Sequence, residues 1–233
     1  MGKGKLKKFS EMENFPNVLQ PSFREVFGQD YAYKGRWKEF FGNDRPVMLE
    51  LGCGKGEYTT GMARMFPENN YIGVDIKGSR IWTGARLALD EGLANVAFIR
   101  TSVEVIGSFF GSGEISGIWI AFPDPQVKKR RRKKRLTAAR FLNEYRKFLV
   151  SGGTISLKTD NALLYRYTLD LLEGNGAEII SSTEDLYAAG DPGGLPGIMT
   201  YYEQQYLGEG RKIHFLSFRL PAGEIEETGH EGG

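Results

Sequence analysis

The segment Leu49-Glu50-Leu51-Gly52-Cys53-Gly54-Lys55-Gly56 sets three glycines at alternate positions directly after a short apolar run. Glycine lets the main chain turn tightly and lets a ligand approach it, so this spacing suits the first strand-to-helix turn of a nucleotide-type cofactor site. A dinucleotide site wants GxGxxG, with a pyrophosphate at the helix N-terminus. Here the pattern is GxGxG, with Glu50 just ahead of it. A carboxylate near the loop suits S-adenosylmethionine (SAM), which carries an ammonium and a sulfonium and has no pyrophosphate. Asp75 ends the next apolar run, 19 positions after Gly56. An acid there can accept hydrogen bonds from ribose hydroxyls, a device that NAD and SAM sites share, or it can be a helix N-terminal carboxylate. Asp124 stands between Pro123 and Pro125, at the end of the run Ile118–Phe122. The two prolines deny the strand ladder its N–H groups and stiffen the exit, so Asp124 is either a turn aspartate or an acid held toward the cofactor edge. Cys53 is read as a small residue filling the loop.

A second chemistry follows within three residues of Pro125. Residues 128–135 read KKRRRKKR, eight cations in succession. The whole chain carries 31 Lys+Arg against 29 Asp+Glu; without this run the balance is 23 to 29, so the rest is mildly acidic. Like charges at i,i+4 repel, and the run cannot be a stable helix unaided. A polyanion beside the active edge would neutralise it, with phosphates giving affinity and salt dependence but little sequence discrimination. A smaller basic cluster, Lys3, Lys5, Lys7 and Lys8, opens the chain, and Glu224, Glu226, Glu227 and Glu231 close it.

The elements that must position these groups alternate in type. Strands are expected at Val47–Leu51, Tyr71–Ile76, Val96–Arg100, Ile118–Phe122, Thr154–Lys158 and Glu178–Ser182. Helices are expected at Glu57–Phe66, Ser79–Glu91, Val103–Phe110 and Asn161–Glu173, and from the basic run through Leu136, Leu142, Tyr145 and Leu149 to a stop at Gly152-Gly153. Tyr201–Leu207 and Lys212–Leu220 flank Gly208-Glu209-Gly210 like a hairpin. This pattern predicts a doubly wound α/β fold, a mostly parallel seven-stranded sheet with a C-terminal antiparallel hairpin. Residues 1–30 read as an irregular arm, 31–220 as the domain and 221–233 as a disordered acidic tail. Ligands of such sheets sit at the carboxyl ends of the strands, which brings Gly52–Gly56, Asp75, Thr101, Asp124 and Asp160 to one edge.

Composition removes several alternatives. Hydrophobic content of 40% and charged content of 26% are values of an ordinary soluble globule. No apolar run is long enough to span a bilayer, and no apolar stretch follows the basic N-terminus as in a secretory signal. One cysteine excludes an internal disulfide, and two histidines leave little for a metal centre or a Ser-His-Asp triad. The reading is a cytoplasmic, metal-free protein, monomer or homodimer.

LELGCGKG, GVDIKGSR, FPDPQVKKRRRKKRL, LKTDN and TYYE, in that order, resemble the bacterial tRNA (guanine-N(7)-)-methyltransferase family over roughly residues 45–220. The resemblance implies a class I SAM-dependent, Rossmann-like methyltransferase that methylates N7 of a guanine in the tRNA variable loop. Glu50, Gly52, Gly54, Gly56, Asp75, Thr101, Ser102 and Asp124 would then bind SAM, with Asp124 the active-site residue. Lys128, Asp160, Thr200, Tyr201, Tyr202 and Glu203 would contact the substrate. Lys129, Arg130, Arg131, Arg132, Lys133, Lys134 and Arg135 would contact RNA. Three positions depart from the family pattern: Gln126 stands where Trp is usual, the basic run lacks histidine, and Thr101 replaces the adenine-side acid. Gln126 also argues against methylation of an exocyclic amine, whose D/N-P-P-aromatic motif needs a ring at that place. N7 of guanine has a free in-plane lone pair, so attack on a methyl needs no general base and no covalent enzyme intermediate. Asp124 or Asp160 could stabilise the charge that the base gains or read its N1–H and amine edge. Tyr201, Tyr202 or Trp119 could stack on the unstacked base.

Overall fold

The computed structural model describes residues 3–188 and 197–227. A helix α1 (Lys3–Met12), a two-residue strand β1 (Val18–Leu19) and short helices α2 (Phe23–Val26) and α3 (Trp37–Phe41) precede the glycine loop. The alternating part runs β2 (Val47–Leu51), α4 (Glu57–Met65), β3 (Asn70–Asp75), α5 (Gly78–Asp90), β4 (Val96–Arg100), β5 (Ile115–Ala121), α6 (Ala139–Arg146), β6 (Leu149–Thr159), α7 (Ala162–Gly174), β7 (Glu178–Thr183), α8 (Tyr201–Gly208) and β8 (His214–Arg219). Short 3-10 segments lie at Val103–Ser108, which is kinked at Val105, and at Lys129–Lys134.

The strands form one sheet in the order β1-β4-β3-β2-β5-β6-β8-β7. β1 through β6 pair in parallel, and β8 runs antiparallel between β6 and β7. Strand order reverses at β2, which pairs with β3 on one side and β5 on the other. That reversal opens a crevice at the carboxyl ends of β2 and β5, the usual ligand position of a doubly wound sheet. Both faces are covered. Leu49, Ile72, Phe109, Leu142 and Leu164 belong to one packed cluster, and Tyr58, Met62, Ile81 and Phe98 belong to another. Double coverage explains why β3 and β4 read as continuous apolar runs without alternation.

The doubly wound fold stands, with six local corrections. The sheet has eight strands among the described residues rather than seven, because Val18–Leu19 of the supposedly irregular arm pairs with Phe98–Ile99 at the sheet edge. The arm itself is anchored: Met12 and Val26 are buried, and Glu11 accepts a hydrogen bond from Trp82 Nε1 at 2.8 Å. The expected C-terminal hairpin is a helix followed by one strand. Thr200 and Glu203 form a capping box that starts α8, and β8 finds its partners in β6 and β7 instead. The basic run does not continue into α6: Ala138 in extended conformation separates the two. Gly152-Gly153 lies inside β6 beside an irregular pairing with β5. Residues 221–227 are not a loose tail, since Ile225 is buried, Asn143 and Ile225 exchange two hydrogen bonds, and Glu227 accepts from Tyr167 OH at 3.0 and 3.1 Å. His230 and Glu231 lie outside the described residues.

Candidate active site

The glycine loop follows β2 with Gly52, Gly54 and Gly56 all at positive φ (77°, 55° and 72°). At Gly56 a Cβ would also meet the Phe98 ring at 2.7 Å, so glycine is required there for packing as well as for conformation. A Cβ on Gly54 would meet only the Gly52 carbonyl, at 4.0 Å, which leaves that part of the loop open to a ligand. Asp75 ties the loop to β3: one carboxylate oxygen accepts from Gly54 N at 3.0 Å, the other from Lys77 N at 2.7 Å.

Two clefts meet at Gly52. The larger, an open volume of about 820 Å3, is walled by Asp75, Thr101 and Ser102 on one side and by Gln126, Leu136 and Phe141 on the other. The smaller, about 490 Å3, is lined by Glu50, Gly54, Tyr58, Arg80, Phe122 and Tyr202 among others. Ser102 caps the following 3-10 turn through its hydroxyl, and Thr101 is nearly buried. Glu50 is buried too, accepting from Thr59 N at 2.8 Å and from the Thr59 hydroxyl. Burial pushes its carboxyl up to about 8, against the lowering effect of those two bonds. A cation placed beside it would draw it back to the charged form.

The turn after β5 spans both clefts. Phe122 lines the smaller and Gln126 the larger, and both are non-glycine residues at positive φ (49° and 47°). Such backbone costs of order 1–3 kcal/mol per residue. The strain brackets Pro123-Asp124-Pro125 and turns the chain sharply on each side. Asp124 is exposed at the middle of this bridge, with one carboxylate oxygen accepting from Gln126 N at 3.0 Å.

The strap comes next. Lys128 precedes a 3-10 turn over Lys129–Lys134, in which no side chain is buried. Lys134 reaches the wall of the larger cleft. Arg135, expected to contact RNA, is instead 6% exposed: its guanidinium donates to the Pro125 carbonyl at 3.1 Å and lies 4.3 Å over the Tyr167 ring. It pins the strap to the Asp124 turn.

Opposite the strap, α8 brings Thr200–Glu203 to the smaller cleft. Tyr201 and Tyr202 are exposed, and Thr200 and Tyr202 line the wall. Glu203, expected to contact substrate, is fully buried and paired with Lys158, which is 3% exposed. Lys158 Nζ also donates to Tyr58 OH at 2.8 Å, and Tyr187 OH donates to Glu203 at 2.6 Å. Burial lowers the lysine and raises both phenols above the ordinary range. Glu203 therefore acts on the cleft only through the neighbours it holds. Asp160, just past β6, pairs with Arg211 at 2.8 Å. Trp119 is stacked on Tyr58 (centroids 5.6 Å apart) and faces Phe215, so it is committed to packing.

Sequence reading overlooked Lys158, Tyr58 and Arg80. A lysine in an interior strand was the available signal, because a buried cation demands a partner. Arg80, the last residue of the GVDIKGSR motif, had no role assigned to it and reaches the cleft from the first turn of α5.

A family model with the description "Putative methyltransferase" matches residues 44–216. A tRNA (guanine-N(7)-)-methyltransferase of Bacteroides fragilis is 51% identical over 229 residues, covering 97% of this chain and 90% of that protein. One of the same description from Geobacillus kaustophilus is 37% identical over 181 residues, 78% of this chain and 82% of that one. Among solved structures, the 16S rRNA methyltransferase KamB aligns with a TM-score of 0.61 at 12% identity, over 83% of this chain and 95% of that one. A 16S rRNA (adenine(1408)-N(1))-methyltransferase with cosubstrate SAM, from Catenulisporales acidiphilia, aligns at 0.57 and 15% identity, over 82% and 93%. These two likenesses concern the fold.

Proposed function

The chain belongs to the tRNA (guanine-N(7)-)-methyltransferase family, and from that premise we propose that it transfers the methyl group of SAM to N7 of a guanine in tRNA, within the variable loop. The observation that carries this reading is the pair of clefts meeting at Gly52 and bridged by the Asp124 turn. The donor set fits SAM. Asp75 suits the ribose hydroxyls, while Thr101, Ser102 and the apolar wall of Leu136 and Phe141 suit the adenine. Glu50 and the Gly54 main chain suit the methionine end. SAM supplies a methyl carbon made electrophilic by its sulfonium; the N7 lone pair forms the new C–N bond as the C–S bond breaks.

The protein's work is then orientation and electrostatics. Holding nucleophile and methyl in line can supply up to about 7–11 kcal/mol in favourable systems. Guanine gains positive charge in the transfer, and Asp124, on the bridge between cofactor cleft and base cleft, is set to stabilise it. Thr200 borders the base side, Asp160 holds Arg211 beside Tyr206, and Lys128 starts the strap that follows the phosphates. Lys129–Lys134 supply the sequence-independent contact to the RNA backbone. Incubation with SAM and unmodified tRNA, followed by nucleoside mass spectrometry, tests the proposal. The expected product is 7-methylguanosine; no product, or a methyl on another atom, refutes it.

A further inference from the structure

Helix α8 carries exposed rings beside a buried acid. Its one buried residue is an acid, Glu203, while Tyr201 and Tyr202 are 55% and 38% exposed. A surface helix normally does the opposite, and exposed aromatic surface marks a contact face. The rings are also in series. Tyr201 and Tyr202 centroids are 5.7 Å apart, Tyr202 and Tyr206 6.3 Å, and Tyr206 stands 5.7 Å from Phe122. Each tyrosine carries a cation: Lys55 Nζ at 4.6 Å from the Tyr201 centroid, the Arg80 guanidinium at 5.9 Å from Tyr202, and that of Arg211 at 4.9 Å from Tyr206. The three cations come from three separate places, namely the glycine loop, α5 and the turn after α8.

We propose that this row is a landing for unstacked RNA, in which Tyr201 with Lys55 and Tyr206 with Arg211 receive the nucleotides on either side of the target guanosine. The inference rests on the methyl-transfer reading above and adds the flanking subsites to it. Tyr202 and Arg80 line the smaller cleft, so the middle step lies where the target base would enter. The outer steps fall to either side of it. Ring spacings near 6 Å exceed the rise of about 3.4 Å between stacked nucleotides of one strand. The row therefore matches a strand pulled open at the target and would mismatch an intact duplex. An aromatic face accepts any base, and Lys55 beside Tyr201 meets the adjoining phosphate, whereas Arg211 is held in place by Asp160 and Glu209 at 2.8 and 2.7 Å, so these subsites hold the strand without reading its sequence.

The test compares the wild-type enzyme with Tyr201→Ala, Tyr206→Leu and the ring-retaining Tyr201→Phe and Tyr206→Phe. Leucine at 206 keeps apolar packing against Leu186 and Ile213, the cluster on which Tyr206 rests. Three quantities are measured: KM and kcat for tRNA, SAM affinity by equilibrium dialysis, and the emission of 2-aminopurine placed next to the target guanosine in an RNA substrate. Loss of a ring is expected to raise KM for tRNA about tenfold, within the range for removal of one base–ring stack. kcat and SAM affinity should change far less, both phenylalanine variants should keep the wild-type KM, and the 2-aminopurine response on binding should vanish only when the ring is gone. Unchanged KM and unchanged emission in Tyr201→Ala and Tyr206→Leu overturn the inference while the wild type still methylates. Equal loss in the phenylalanine variants also overturns it, since the hydroxyl and not the ring would then be responsible. A wild-type enzyme that transfers no methyl to tRNA overturns the proposed function and this inference together.

Discussion

The strap at Lys128–Lys134, whose last residue walls the larger cleft, and the Lys158–Glu203 pair, which stands behind Tyr58 of the smaller one, hold charge in opposite ways. In the strap, seven successive cations stand on one short segment with no buried side chain. In the pair, one lysine and one glutamate are almost wholly removed from water and tied to Tyr58 and Tyr187. Exposed charge is well solvated, so the strap contributes little to folding and remains available for a polyanion. Buried charge is expensive without its partner, so the pair is committed to holding β6, α4 and α8 together. The same side-chain chemistry is thus left to solvent in one place and serves architecture in the other, and exposure decides which role is open to it.

The sharpest way to break this comparison is Lys158→Met. It leaves Glu203 buried without a counter-charge and should cost about 3–5 kcal/mol of stability, read by chemical denaturation. Replacing Glu203 with Met at the same time should recover much of that loss. A single variant within about 0.5 kcal/mol of wild type, the range of ordinary surface changes, would remove the pair from the architecture.

Between the two regions lies Asp124. Changing it to Ala should reduce methyl transfer by about 100- to 1000-fold, the scale for loss of one electrostatic stabiliser, with tRNA binding kept. Normal turnover would sink its assignment. Replacing Lys129–Lys134 with Gln should leave stability unchanged but raise KM for tRNA and flatten the dependence of binding on salt. The log–log slope should shrink by about one unit for each phosphate that is no longer neutralised. An unchanged slope would show that the RNA backbone lies elsewhere.

Arg135 sharpens the boundary, because it is part of the basic run by sequence and part of the interior by burial. Arg135→Gln should cost about 1 kcal/mol by removing the cation from the Tyr167 ring and leave the salt slope alone, whereas Arg130→Gln should do the reverse. The last effect is read in protons, at Glu50. Its carboxyl titrates near 8 when folded against an ordinary 4.5, so between those values the folded state holds a proton that the unfolded chain has lost. Stability from this group accordingly falls as pH rises through that window and levels off above it. A cationic ligand favours the ionised form, so SAM binding near pH 7 should release protons and weaken as pH falls. Calorimetry in buffers of different ionisation enthalpy measures that release, and its absence would separate Glu50 from the cofactor's positive end.

What the sequence determined by itself is local or periodic. The glycine spacing, the acids at the ends of apolar runs, the proline-flanked Asp124 and the density of cations at 128–135 are all written within a few residues, and the alternation of elements named the sheet. The segment Tyr201–Leu207, which the flanking glycines suggest as a hairpin strand, is a helix, and its Thr200-x-x-Glu203 capping box is equally local. Tertiary structure alone decided the rest. Whether Arg135 and Glu203 face solvent or the interior, that Val18–Leu19 extends the sheet, and that Lys158 meets Glu203 across 45 residues of chain depend on packing between distant segments. A residue's type fixes its charge, but only the surrounding fold fixes the solvent and the partner that give that charge its role.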